Sequence, residues 1–159
     1  MALINIIYCG TIFFGIVLAI LSTSGNYWIE YTNSTVSYHS GIWNYCLNVC
    51  VKMQNKSASL IVTETFMVIG CLTYFLAFGL SLVSYFKIIK KLENHKISGA
   101  VLCATAVIMV IGLSTYTSNI QTSKNFKYSW SYIIGWCSVA ISAISATICF
   151  LMKVESQPA

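Results

Sequence analysis

Four long apolar runs alternate with polar stretches along the chain. Leu3 to Leu21, Ile61 to Phe86, Ile97 to Tyr116 and Trp130 to Met152 contain a single charged side chain among them, Glu64. A helix needs about 20 apolar residues to cross a bilayer core, so spans are predicted over 3–21, 61–86, 97–116 and 130–152. The first run has no basic residue before it and is longer than a signal-peptide core, so it is expected to remain as a span.

The stretch from 22 to 60 is a polar island with a different period. Tyr27 to Thr32 is rich in aromatic and β-branched residues, Asn33-Ser34 is a turn signal, and Thr35 to Cys46 continues in the same style. Val49, Val51 and Met53 then alternate with Cys50, Lys52 and Gln54. A small antiparallel sheet is predicted here. Residues 117–129 read as a short polar loop. Small residues recur at four-residue spacing in two spans, Ala100 and Ala104 in the third, and Ser138, Ser142 and Ala146 in the fourth. Such faces let helices approach closely and are expected to pack within the bundle.

Composition turns the apolar pattern into a solvent argument. The chain is 57% apolar and 8% charged, against roughly a quarter charged in a soluble domain. Thirteen charged side chains cannot solvate a surface for 159 residues, so lipid is the main solvent. The net charge of +5 is then a matter of orientation and gives no sign of nucleic acid. Lys87, Lys90, Lys91 and Lys96 crowd the loop 87–96, and Lys153 follows the last span, which predicts those segments in the cytosol. Asn33-Ser34-Thr35 and Asn55-Lys56-Ser57 fit the N-x-S/T acceptor and both fall in the first loop, as does the one cysteine pair in polar sequence. Residues 22–60 and 117–129 are therefore expected outside, both termini inside, in a multi-pass protein of the plasma membrane.

Cys46 and Cys50 are separated by Leu47-Asn48-Val49. A three-residue hairpin with Asn in the left-handed position would bring them within reach of a disulfide, and an exterior compartment favours oxidation. A metal site is the competing reading, but it needs two more ligands and only His39 lies near. Cys9, Cys71, Cys103, Cys137 and Cys149 lie in apolar runs and read as small core or lipid-facing residues.

Trp28, then Gly41-Ile42-Trp43, then Cys46 and Cys50 resemble the W…GLW…C…C signature of the superfamily of claudins, peripheral myelin protein and epithelial membrane proteins. The wording around them, with Trp130, Gly135 and Trp136 at the head of the last span, is nearest to the lens fibre membrane intrinsic protein branch. The resemblance covers essentially the whole chain. It implies a membrane α+β fold, a left-handed four-transmembrane-helix bundle capped by a small extracellular antiparallel β-sheet. It also implies that Trp28 and the Gly-Ile-Trp segment anchor the sheet to bilayer and bundle, with Cys46 and Cys50 bridged. Interfacial preference places Trp28, Trp43, Trp130 and Trp136 in an outer aromatic belt. Two departures from claudins stand out. The C-x3-C spacing is tighter, and Ser156-Gln157-Pro158-Ala159 lacks a hydrophobic terminal residue for scaffold docking.

No chemistry converges. Four carboxylates and two histidines are spread over the chain without an acid–base or nucleophile–base spacing, so no catalytic residue, metal, cofactor or small-molecule substrate is expected. A transporter or pore normally places ionisable groups inside its spans, whereas Glu64 is expected near the outer boundary, solvated or bonded to loop backbone. The remaining class is an interaction protein. It would organise cell–cell contacts or membrane architecture, with the bilayer, other membrane proteins or itself in cis or trans as partners. The alternative is an accessory subunit or a vesicle or granule component, with the small-residue face of the fourth span turned to lipid.

Overall fold

The computed structural model describes residues 2–32, 37–47, 49–86, 95–120 and 126–152. Asn33, the lysine cluster at 87–91, Asn48 and the tail from 153 lie outside the described residues.

Four helices, α1 (Ala2–Ser24), α2 (Ala58–Tyr85), α3 (His95–Ile120) and α4 (Trp130–Met152), pack up and down, with α4 closing back on α1. All four are long and apolar enough to cross a membrane. They outrun the apolar stretches at several ends. Thr23, Ser24 and Thr117 donate their hydroxyls to the carbonyls four residues back, so these polar residues are satisfied within the helix and need no loop. Residues 117–120 are accordingly the last turn of α3 rather than loop. Ser57 caps α2, its hydroxyl accepting from the Leu60 N–H, and so starts the helix ahead of Ile61.

Hydroxyls also tie the helices together. Tyr8 bonds Ser98, which donates to the Ala77 carbonyl; Ser142 donates to Leu102 and Thr63 to Gly112. In lipid these bonds and close packing replace the hydrophobic drive between helices, at about 0.6 kcal/mol per bond. Ser138, Ser142 and Ala146 are buried, so the small face of α4 is spent inside the bundle. Ala100 and Ala104 behave differently. Both are exposed on α3, because four-residue spacing aligns residues on a face without saying which way the face looks.

The sheet has five antiparallel strands in the order β4-β3-β2-β1-β5: β1 (Ile29–Thr32), β2 (Ser37–Ser40), β3 (Asn44–Cys46), β4 (Cys50–Lys52) and β5 (Lys127–Tyr128). Four come from the first loop, and β5 brings the second loop to the free side of β1. The stretch expected to run as strand from Thr35 to Cys46 is broken. Gly41-Ile42-Trp43 is the loop of the β2–β3 hairpin, closed by the Gly41 N–H donating to the Asn44 carbonyl at 2.9 Å.

α2 is longer than the membrane requires. Cys9 lies beside Ser81 and Thr23 beside Cys71, so α1 runs alongside the later half of α2 and ends near Cys71. At 1.5 Å per residue, the first turns of α2 rise on the order of 15 Å beyond the end of α1. They stand at the level of the sheet.

Candidate functional site: the anchored outer layer

The last four carbonyls of a helix have no intrahelical donor, and α1 ends beneath the sheet. The Gly25 N–H donates to Leu21 O at 3.0 Å. Trp28 Nε1 donates to Ser22 O and Trp43 Nε1 to Thr23 O, each at 2.7 Å. Two of the four tryptophans expected in an aromatic belt therefore terminate α1. Trp28 is wholly buried, edge-on to Tyr116 and Tyr132 at 4.7 and 5.9 Å between ring centroids, so it has left the belt for the core. Trp43 is half-buried, while Trp130 and Trp136 are exposed on α4 where lipid or its interface can meet them. Aromatic pairs of this kind add about 0.5–1.5 kcal/mol beyond the area they bury.

Gly41 is required by approach. A Cβ there would lie 2.4 Å from Gly25 O and 2.9 Å from Asn26 Cα, backbone atoms that cannot swing aside. This contact lets the hairpin loop drop onto the end of α1 and deliver Ile42, fully buried, into the bundle. Gly135 allows the same closeness between α4 and α1, where a Cβ would meet Ser22 Oγ at 2.8 Å.

Beside Trp43 sits an ion pair that sequence reasoning missed. Glu64, on the first turns of α2, is buried and bonded to Lys56, and the Lys56 Nζ lies 5.0 Å from the centroid of the Trp43 ring. Glu64 was expected in water or on loop backbone. The rise of α2 puts it at the sheet instead, away from bulk water, where a carboxylate needs a cation. The eight-residue separation of Lys56 and Glu64, with a helix start between them, carries no sequence signal.

Cys46 and Cys50 face each other across the β3–β4 ladder and are bridged, with Cα atoms 4.0 Å apart. His39 Nδ1 or Nε2 lies within 4.8 Å of the two sulfurs. The sulfurs are bonded to each other and offer no thiolate, and the His39 ring stacks on Tyr27 with centroids 4.0 Å apart. The ring closed by so short a loop removes roughly 2 kcal/mol of chain entropy from the unfolded state. Cys46→Ser with Cys50→Ser is expected to lower unfolding free energy by about that amount and to reduce export. Denaturant titration in detergent checks it; a stability equal to wild type would remove the bridge from the account.

Elsewhere the layer is polar and quiet. The Ser129 hydroxyl donates to Glu30 at 3.1 Å. Burial, then the neighbouring Tyr132, pushes the Tyr128 phenol above its usual value, while a bond to Thr117 opposes the shift. No acid–base pair faces a cleft among the described residues. Asn55, by contrast, is exposed.

The tryptophans and Gly41 hang the sheet on the bundle, and the cysteine bridge closes its β3–β4 hairpin. The PMP-22/EMP/MP20/Claudin family model matches residues 1–149. The chain belongs to this family. Its relatives include the lens fiber membrane intrinsic protein of Rattus norvegicus, 25% identical over 80% of this chain and 79% of the relative. Epithelial membrane protein 1 of Homo sapiens is 25% identical over 87% and 89%, and claudin domain-containing protein 2 of Homo sapiens is 30% identical over 86% and 78%. This family member is therefore a multi-pass membrane protein with the claudin-like four-span fold. In this chain the fold carries a short C-x3-C hairpin and a Glu64–Lys56–Trp43 cluster.

Proposed function

We propose that the protein is non-catalytic and organises cell–cell contacts or membrane architecture through an outward-facing sheet. Its termini then lie in the cytosol and the protein resides in the plasma membrane. The observation that carries the reading is the β3–β4 hairpin. Leu47, Val49 and Val51 are 52%, 72% and 46% exposed, on an edge hairpin whose base is fixed by Trp43 and whose tip is fixed by the cysteine bridge. Single exposed apolar residues are ordinary, but three together on a disulfide-pinned edge hairpin form a contact surface. The edge strand β4 adds unpaired backbone groups beside it. A second copy of this chain on a facing or adjacent membrane fits the apolar part of this surface, with Lys52 exposed beside it on β4.

Mixed cultures test this. The protein should concentrate at boundaries where both neighbours express it, and Leu47→Ser with Val49→Ser should abolish that enrichment while surface delivery stays normal. Equal enrichment where only one neighbour expresses it would sink homotypic contact.

A second reading, association in the membrane plane as an accessory subunit, is favoured by Ala100 and Ala104. They give α3 a small-residue face turned away from its own bundle. The face of α4 first considered for that role is buried.

A further inference from the structure

We infer that Asn55 carries an N-linked glycan whose first sugars lie in a groove of the protein's own sheet. The groove has a volume of about 570 Å³. It is lined by Tyr38, Tyr45, Val51 and Lys52 of the sheet and by Met53, Gln54 and Asn55 of the segment leading into α2. Tyr45 and Val51 are directly opposed across β3–β4, and Tyr38 lies diagonally beyond them on the same face. The inference rests on the outward orientation of the sheet proposed above.

Asn55-Lys56-Ser57 fits the acceptor pattern, so its distance from the membrane decides whether it can be used. It lies six positions before the apolar run that begins at Ile61, close to where lipid would be expected. The structure lifts Asn55 clear of the end of α1, because the early turns of α2 rise on the order of 15 Å beyond it. Leu60, Thr63 and Glu64 on those turns are buried in protein, while Ile61 and Val62 beside them are exposed. The middle residue of the acceptor, Lys56, is turned into its ion pair with Glu64. Asn55 is thereby held on the groove side of the chain, exposed and lining the groove itself.

Attachment draws the oligosaccharide from a polyprenyl-diphosphate donor. The Asn55 amide nitrogen forms a bond to the anomeric carbon, the carbon–oxygen bond to diphosphate breaks, and the amide proton leaves as the lipid diphosphate departs. The groove then offers what an N-acetylhexosamine needs. Tyrosine rings take the C–H face of a pyranose, while two phenols and the Gln54 amide bond its acetamide and hydroxyls. Because the sugar is tethered beside the groove, its effective concentration is of millimolar order, so contacts with a dissociation constant of about 0.1 mM keep it seated about ten to one. A seated glycan takes Tyr45 and Val51 out of water. It leaves Leu47 and Val49 as the part of the hairpin open to a partner.

The test uses the full-length protein from eukaryotic cell membranes, solubilised in detergent, with glycopeptide mass spectrometry and enzymatic cleavage at the Asn–sugar bond. Asn55 should be occupied, and its glycan should be released about tenfold more slowly from native than from denatured protein. Tyr38→Ala with Tyr45→Ala should make native release fast. Gln54→Ala, on an exposed segment, should quicken it several-fold without disturbing the sheet. Occupied Asn33 with unmodified Asn55 overturns the inference and leaves the orientation standing. Release from native protein as fast as from denatured protein overturns the seat. Both acceptors unmodified, with the sheet sheltered from protease added outside intact cells, overturns this inference and the outward orientation together.

Discussion

Trp28→Ala should leave little folded protein. The indole is wholly buried, packed edge-on against Tyr116 and Tyr132, and its N–H satisfies the Ser22 carbonyl at the end of α1. Truncation removes a large apolar volume where a helix end, the root of β1, α3 and α4 meet. Replacing a buried Trp by Ala costs about 3–5 kcal/mol, and the orphaned carbonyl adds about 1–3 kcal/mol. That approaches the whole stability of an ordinary domain, about 5–15 kcal/mol. Trp28→Phe keeps most of the volume and loses the donor, so it should fall well short of Trp28→Ala. Thermal unfolding in detergent, followed by tryptophan fluorescence, reads both. An alanine variant melting within a degree or two of wild type would mean that Trp28 is not the keystone described.

Glu64→Gln is the second large effect. It leaves Lys56 in a mostly buried site with only the Trp43 ring for compensation. Breaking one side of a buried pair costs about 3–5 kcal/mol. The two side chains keep 15% and 11% of their exposure, so partial screening brings the expectation to about 2–3 kcal/mol. Lys56→Met alone strands the carboxylate and should cost a similar amount. The pair of changes together should cost clearly less than their sum, because no charge is then left unmatched. Denaturant unfolding of the four proteins closes the cycle. Strict additivity would show that the two groups do not meet.

These two predictions also mark where the sequence stopped being readable. The four spans were legible because lipid imposes a length and forbids charge, a constraint that acts on each run separately. The signature residues were legible as a group, yet their work was not. Trp28 and Trp43 look interfacial by type, and their actual task, terminating α1, depends on a helix end that only the fold brings beneath them. The break at Gly41 was hidden because Ile42 and Trp43 read as good strand residues. The need for a bare Cα comes from Gly25 and Asn26, fifteen or so positions away. Apolar length could not separate lipid from protein as the cover for Leu60 and Thr63. The overshoot of α2, and with it the true surroundings of Glu64 and Asn55, therefore went unseen. Ala100 and Ala104 show the same limit from the other side.

The short strand β5 sets an order of assembly. Its neighbour Ser129 bonds Glu30 from 99 positions away along the chain, and between them lie two complete spans. The β2–β3–β4 meander is local and can form, and be oxidised, soon after the first loop leaves the ribosome. The β1 edge stays open until α4 is in the bilayer, since contacts of such separation come late. An unfinished chain thus displays a bare strand edge, and a finished one hides it. Completion of the membrane bundle is in this way legible from outside the membrane.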